Sequence, residues 1–136
     1  MEDLCERYPG YFGARLEASP PPGGYPPEFW VITACDPNGE ALDPQRNVER
    51  TARFQSQLSS AGLVHFPVTG YDPRPGETHR EPGFGIVCDD REAMRLGRGW
   101  EQVAVFHITD GDVWLVFCSG DEERFHLRTW GEMIVC

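Results

Sequence analysis

Residues 29–58, FWVITACDPNGEALDPQRNVERTARFQSQL, contain in direct succession the patterns of a strand, a polar turn and a helix. Phe29 to Cys35 is a short apolar run rich in β-formers, and the turn residues Asp36 to Gly39 follow it, so a buried strand is predicted. Asp43 is a good N-cap and Pro44 suits the first helical position. The sequence therefore predicts a helix over about Pro44 to Ala61.

The rest of the chain continues this alternation. Pro67 places one of the predicted strands at a sheet edge, because proline cannot donate to a strand neighbour. Asp110-Gly111 predicts a tight hairpin between the predicted strands Gln102–Ile108 and Val113–Cys118. Tyr71 to Pro82 is a long polar loop, and Phe125 to Cys136 is expected to be a terminal strand or strap. The remaining predicted elements are strands at Leu63–Thr69, Phe84–Cys88, Gln102–Ile108 and Val113–Cys118 and a helix at Asp89–Arg98.

From Phe29 onward the predicted order is β-α-β-β-α-β-β. This order is typical of an α+β fold, with a mainly antiparallel sheet and two helices packed on one face. Residues 1–28 contain the proline- and glycine-rich segment SPPPGGYPP and are expected to form an N-terminal arm and connector. Residues 29–136 are expected to form a single α/β domain.

Composition restricts the partners that we expect. The chain has 22 acidic residues against 12 arginines, no lysine and a formal charge of -10, so nucleic-acid binding is disfavoured. A leader sequence and a membrane span are not recognisable, and a cytoplasmic protein is expected. The five cysteines contain no Cys-x-x-Cys pair and are expected to be reduced: Cys5, Cys35, Cys88, Cys118 and Cys136.

The predicted helix carries an asparagine on its core face. At 100° per residue, Asn47 points the same way as Phe54 and Leu58, and Arg50 lies at the margin of that face. A buried amide needs partners, so Asn47 is expected either to tie the preceding loop to the helix or to bind a ligand. In the ligand hypothesis, the site lies at the end of the first strand, together with Thr33, Asp36 and Asn38.

The long loop supplies the candidate catalytic residues. Glu81 and His79 are positioned to approach the same cleft, where either could transfer protons. We expect Glu81 to form a salt bridge with Arg50, because an arginine at a core margin needs an acidic partner. Metal-ligand spacings, glycine-rich phosphate loops and nucleophile motifs are not recognisable, so neither a metal nor a cofactor is predicted.

The pattern Phe29-x-x-Ile32-Thr33-Ala34-x-x-Pro37, then Asn47-x-x-Arg50, then Glu81-Pro82-Gly83-Phe84 resembles a known family. It is the bacterial and phage family called domain of unknown function 3293, and the resemblance covers about Phe29 to Val116. Cys35-Asp36 departs from the pattern, which has an aromatic or small residue followed by Asn there. The resemblance implies a small α/β domain and no established chemistry.

Three functions remain open at this point. The first is a binding module for a protein partner or a polar small molecule, using residues 36–42 and 71–81. The second is a hydrolase or transferase acting on an anionic metabolite, with Arg50 binding the anion, Asn47 orienting it and Glu81 or His79 moving protons. The third is an acidic inhibitor of a basic nucleic-acid-binding protein.

Overall fold

The computed structural model describes residues 4–135, except for the side chain of Cys5. Its helices are α1 Leu4–Arg7, α2 Pro9–Gly13, α3 Pro44–Ser60, α4 Asp90–Gly99 and α5 Trp130–Met133. Its strands are β1 Arg15–Glu17, β2 Glu28–Thr33, β3 His65–Tyr71, β4 Arg80–Ile86, β5 Ala104–Thr109, β6 Asp112–Phe117, β7 Arg124–Thr129 and β8 Ile134–Val135. One sheet contains all of these strands in the order β7-β6-β5-β2-β4-β3-β1-β8. The α+β class and the mainly antiparallel sheet are confirmed, with β1 and β8 forming a parallel pair.

The two long helices begin with side-chain caps. The Asp43 carboxylate accepts a hydrogen bond from the Gln45 amide at the start of α3, and Asp89 does the same for Glu92 in α4. Side chains of both helices share one buried cluster with residues of β2 and β4: Phe54, Leu58, Ala93, Met94, Leu96, Trp30, Ile32, Phe84 and Ile86. This cluster fixes α3 beside the end of β2, where the candidate site begins.

A second buried cluster contains side chains of β2 that alternate with those of the first. Phe29 and Val31 of β2 lie in this cluster, together with Leu16 of β1 and Val68 of β3. Leu16 is completely buried, and β1 pairs with the last three residues of β3. Part of the predicted N-terminal arm is therefore a strand of the sheet, while the division of the chain into two regions at residue 28 stays a prediction.

The strand that contains Pro67 is not at the edge of the sheet. β3 lies between β4 and β1, so the prediction of an edge strand is wrong. Within β3, β1 pairs with Thr69, Gly70 and Tyr71, and this short partner does not reach Pro67. The proline is tolerated because its missing donor falls outside that pairing.

The chain turns are close to those predicted. Asp110 and Gly111, with φ of 52° and 80°, connect β5 to β6 as the predicted hairpin. The terminal segment forms β7, α5 and β8, and Cys136 lies outside the described residues.

Cys35, Cys88 and Cys118 are free thiols. In residues 4–135 no helix has both the length and the apolar character that crossing a membrane would require.

Candidate functional site

A cavity of about 460 Å³ lies against the sheet face that carries the second cluster. Its lining changes along β2, from Val31 to Thr33 and then to Asp36 beyond the strand end. Apolar walls come from Tyr11, Leu16, Val68 and Phe106, and polar groups from Asn38, His79 and Glu81. The cavity thus has an apolar part and a polar end.

Asp36 is held in a fixed orientation at the polar end. Its backbone has φ of 47°, the left-handed region, three residues after the end of β2. Its Oδ1 accepts hydrogen bonds from the Asn47 side-chain amide at 2.8 Å and from the Leu42 backbone N–H at 2.9 Å. Its Oδ2 lies 3.0 Å from His79 Nε2. One carboxylate oxygen therefore anchors the loop, and the other faces the cavity residues.

Glu81 is the second residue of β4, and His79 directly precedes that strand. The Nε2 atom of His79 is 3.7 Å from Glu81 Oε1, and donor atoms of Asp36, His79 and Glu81 all lie within 4.8 Å of one another. The register of β2 and β4, which pairs Thr33 with Gly83, brings these residues together. Exposure of the side chains differs, at 10% for Asp36, 56% for His79 and 29% for Glu81.

The surroundings change the proton affinity of Glu81. Burial raises the pKa of Glu81 to about 7; His79 lowers it and the neighbouring Asp36 carboxylate raises it further. Burial and then the charge of Glu81 also raise the pKa of Tyr11 strongly. A carboxyl group with a pKa raised in this way can serve as an acid, a base or an oxygen ligand.

Asn47 and Arg50 lie behind the cavity and are not among its lining residues. Arg50 Nε donates to the Ala34 carbonyl at 2.6 Å, and its Nη2 donates to the Trp100 carbonyl at 2.8 Å. The prediction that Arg50 pairs with Glu81 is wrong, because its carboxylate partner is Glu101, at 3.5 Å. This arginine links the end of β2 to the segment after α4.

Thr33 and Asn38 do line the cavity, and both also have structural partners. The Thr33 hydroxyl donates to the Pro82 carbonyl at 2.9 Å and accepts from the Cys35 amide at 3.1 Å. Asn38 has φ of 59°, and its side-chain amide is 3.5 Å from Glu101 Oε2. The structure therefore brings five predicted site residues to one cavity: Thr33, Asp36, Asn38, His79 and Glu81.

Sequence reasoning missed the N-terminal wall of the cavity. Tyr8 and Tyr11 line it, and α2 is held over the sheet by ring contacts of Tyr8 with Phe117 at 5.6 Å and Phe12 with Phe125 at 5.5 Å. The aromatic residues of this segment were a usable signal, because several of them within a few positions need an apolar surface to contact.

Comparison with known proteins gives one family. No curated protein and no solved structure is significantly similar to this chain. Residues 32–105, more than half of the chain, match the family described as "Protein of unknown function (DUF3293)". The match includes Asp36, His79 and Glu81 but not the N-terminal wall of the cavity. The chain therefore belongs to the DUF3293 family.

Proposed function

We propose that this domain binds a small organic molecule in the cavity. The apolar part of the ligand would contact Leu16, Val31, Val68 and Phe106, and its polar group would face Asp36, His79 and Glu81. The observation that carries this proposal is the cavity itself, whose volume of about 460 Å³ falls in the range usual for small-molecule sites. A mostly apolar wall with a few convergent polar groups is the usual composition of such sites.

Charge restricts the polar group of the ligand. The described lining contains the carboxylates of Asp36, Asp72, Glu77 and Glu81 and one arginine, Arg7. An anionic group placed directly against Asp36 and Glu81 would be repelled unless a cation lay between them. Arg50, the expected anion-binding residue, is engaged with backbone carbonyls and Glu101 instead. The charge distribution thus favours a neutral or cationic ligand, or a cation-bridged anionic one.

The cavity also favours a small molecule over a protein partner. Trp30 is 1% exposed, so its ring does not form a surface patch. The large apolar side chains exposed on the described chain are four valines: Val48, Val64, Val87 and Val135. A hydrolase or transferase would use the same cavity and would differ by turning over the bound molecule.

Binding of N-phenyl-1-naphthylamine, a neutral apolar fluorophore, tests the proposal. Gly70 lines the cavity, and a Cβ there would meet only Leu16, at 3.8 Å, so Gly70→Leu should fill the cavity without a backbone clash. The matched control is Gly99→Leu, at a glycine of α4 that has open space around it. We expect saturable fluorescence enhancement that Gly70→Leu removes and Gly99→Leu retains. Equal binding by both variants, or no saturable binding by the native protein, would reject the proposal.

A further inference from the structure

We propose that Asp36, His79 and Glu81 bind a first-row divalent transition-metal ion at the polar end of the cavity. The ion would present its open coordination positions to the organic ligand, which would then supply oxygen donors. The metal site stands on these three residues, whereas the statement about the ligand rests on the proposed function.

The separations of the donor atoms suit a metal centre. An ion with bonds of about 2.1 Å holds neighbouring ligand atoms roughly 3.0 to 3.4 Å apart, for octahedral and tetrahedral geometry respectively. His79 Nε2 lies 3.0 Å from Asp36 Oδ2 and 3.7 Å from Glu81 Oε1. The first separation lies within this range and the second is slightly longer, and ligand atoms of all three residues lie within 4.8 Å of one another.

Hydrogen bonds from neighbouring residues already orient one of the three proposed ligands, Asp36. Asp36 Oδ1 already accepts hydrogen bonds from Asn47 and from the Leu42 amide, so the carboxylate is oriented with Oδ2 towards His79. Outer hydrogen bonds of this kind orient the ligands of most protein metal sites. Asp36 follows β2, His79 directly precedes β4 and Glu81 lies in β4, so the register of these two adjacent strands brings the three residues together.

The donor types indicate which ion fits. One imidazole nitrogen and two carboxylate oxygens suit manganese, iron, cobalt or zinc better than calcium or magnesium, which prefer oxygen alone. Three protein ligands leave at least one coordination position open, as in catalytic metal sites. The cavity is continuous with this position, so a carboxylate or hydroxamate with an apolar body matches both parts of it. The positive charge of the ion would also remove the repulsion between such a group and the acidic lining.

The chain offers a matched control pair elsewhere in the sheet. His126 Nε2 lies 2.9 Å from Asp112 Oδ1, nearly the same separation as in the pair of His79 and Asp36. Among the described residues, only Asp36, His79 and Glu81 form a group of three potential ligands. His126→Gln therefore removes a similar histidine contact without touching the proposed site.

Titration of the purified protein with Co²⁺, followed by visible absorption and calorimetry, tests the metal site. We expect one ion per chain, and loss of the absorption band in Asp36→Asn, His79→Gln and Glu81→Gln. His126→Gln should bind as the native protein does, and circular dichroism would verify that all variants are folded. The proposal is overturned if the native protein shows no saturable binding, or if the folded His79→Gln protein keeps its affinity.

Benzohydroxamate, an apolar ring with two oxygen donors, tests the ligand class. It should shift the Co²⁺ spectrum of the native protein and of Gly99→Leu but not that of Gly70→Leu. Co²⁺ binding without this shift would reject the ligand class and keep the metal site. Binding of N-phenyl-1-naphthylamine without Co²⁺ binding would reject the metal and leave the proposed function standing.

Discussion

The side chain of Asn47 makes two hydrogen bonds with Asp36. Its Oδ1 accepts from the Asp36 amide at 3.0 Å, and its Nδ2 donates to Asp36 Oδ1 at 2.8 Å. The asparagine on the inner side of α3 is thus a partner of the acid that lines the cavity. The sequence left two roles open for Asn47, a link between the loop and the helix and a part of a site. These two hydrogen bonds serve both, because they link the loop to α3 and orient an acid that lines the cavity.

Asn47→Ala should therefore affect both stability and the proposed metal site. Loss of the paired amide leaves the Asp36 backbone N–H without its partner, and a cost of about 1 to 3 kcal/mol in unfolding free energy is expected. Affinity for Co²⁺ should fall about 10- to 100-fold, as for other residues that orient metal ligands. Chemical denaturation and Co²⁺ titration measure the two effects, with Glu49→Ala, exposed on the same helix, as the control. Unchanged stability would show that these hydrogen bonds are not needed for the fold.

Arg50→Lys should destabilise the protein although it preserves the charge. Lysine cannot reach the Ala34 and Trp100 carbonyls in the same forked geometry, and hydrogen bonds from a charged donor are worth about 1.5 to 3 kcal/mol. Arg53 is exposed one turn further along α3, so Arg53→Lys is the matched control and should have little effect. Urea denaturation compares them. If both variants unfold at the same urea concentration, the link that Arg50 makes between β2 and the end of α4 contributes no stability.

Gly83→Ala should be far more harmful than Gly70→Ala, although both glycines lie in neighbouring strands and line the cavity. A Cβ at Gly83 would lie 2.6 Å from the Ile32 carbonyl oxygen and 3.1 Å from Thr33 Cα, both of them backbone atoms of β2. A Cβ at Gly70 meets only the end of the Leu16 side chain. Thermal melting should show a loss of several kcal/mol for the first variant and nearly none for the second. A fully stable Gly83→Ala protein would contradict the close approach of β2 and β4.

His107 should make stability depend on pH. Burial lowers the pKa of His107 below 6.5, a hydrogen bond to Glu28 acts in the opposite direction, and the charge of Arg124 lowers it further. The Arg124 guanidinium donates to His107 Nδ1 at 2.6 Å, so the ring is neutral and donates from Nε2 to Glu28 at 2.9 Å. The unfolded chain therefore binds a proton at this residue before the folded chain does, and folding stability falls as pH drops below about 6.5.

The measurement is the unfolding free energy of native protein and His107→Gln between about pH 8 and 5. The native protein should lose more stability over the acidic half of this range than the variant, in which the titrating group is missing. Parallel curves would indicate that His107 has the same pKa in the folded and unfolded chains.

Nucleic-acid binding should be negligible near physiological salt. With 22 acidic residues, 12 arginines and no lysine, the protein is a net anion, and few cations are available to replace the counterions of a phosphate backbone. A gel-shift titration with duplex DNA at about 0.15 M salt should show no retained complex. Tight binding that weakens as salt rises would mean that arginines gather on one face of the protein.

Local signals made part of the fold predictable. The helix predicted over Pro44 to Ala61 is observed as Pro44–Ser60. It was predictable because its N-cap and its amphipathic pattern both lie within one continuous stretch of sequence. The hairpin at Asp110-Gly111 is equally local. In contrast, β1 is three residues long and has no recognisable alternation, and its pairing with β3 depends on burial of Leu16 by distant residues.

The candidate site was predictable only in part. Asp36 and His79 are far apart in sequence, and only the register of β2 and β4 brings them to 3.0 Å. His79-x-Glu81 just before a strand was the usable signal, since alternate residues of an extended segment point to the same side. The partner of Arg50 was not predictable, because Glu101 follows α4 and its approach depends on how that helix packs.

The order of synthesis has a consequence for the cavity. Its N-terminal wall contacts Phe117 and Phe125, and β1 pairs with Ile134 and Val135 of β8. A chain emerging from the ribosome produces Tyr8, Phe12 and Leu16 before their partners in β6, β7 and β8, so these contacts form only when the later strands have emerged. Closing the longest loop of the fold is thus the late step, with the entropy cost that long closures carry. The N-terminal wall of the cavity therefore reaches its place only after β6, β7 and β8 have been translated.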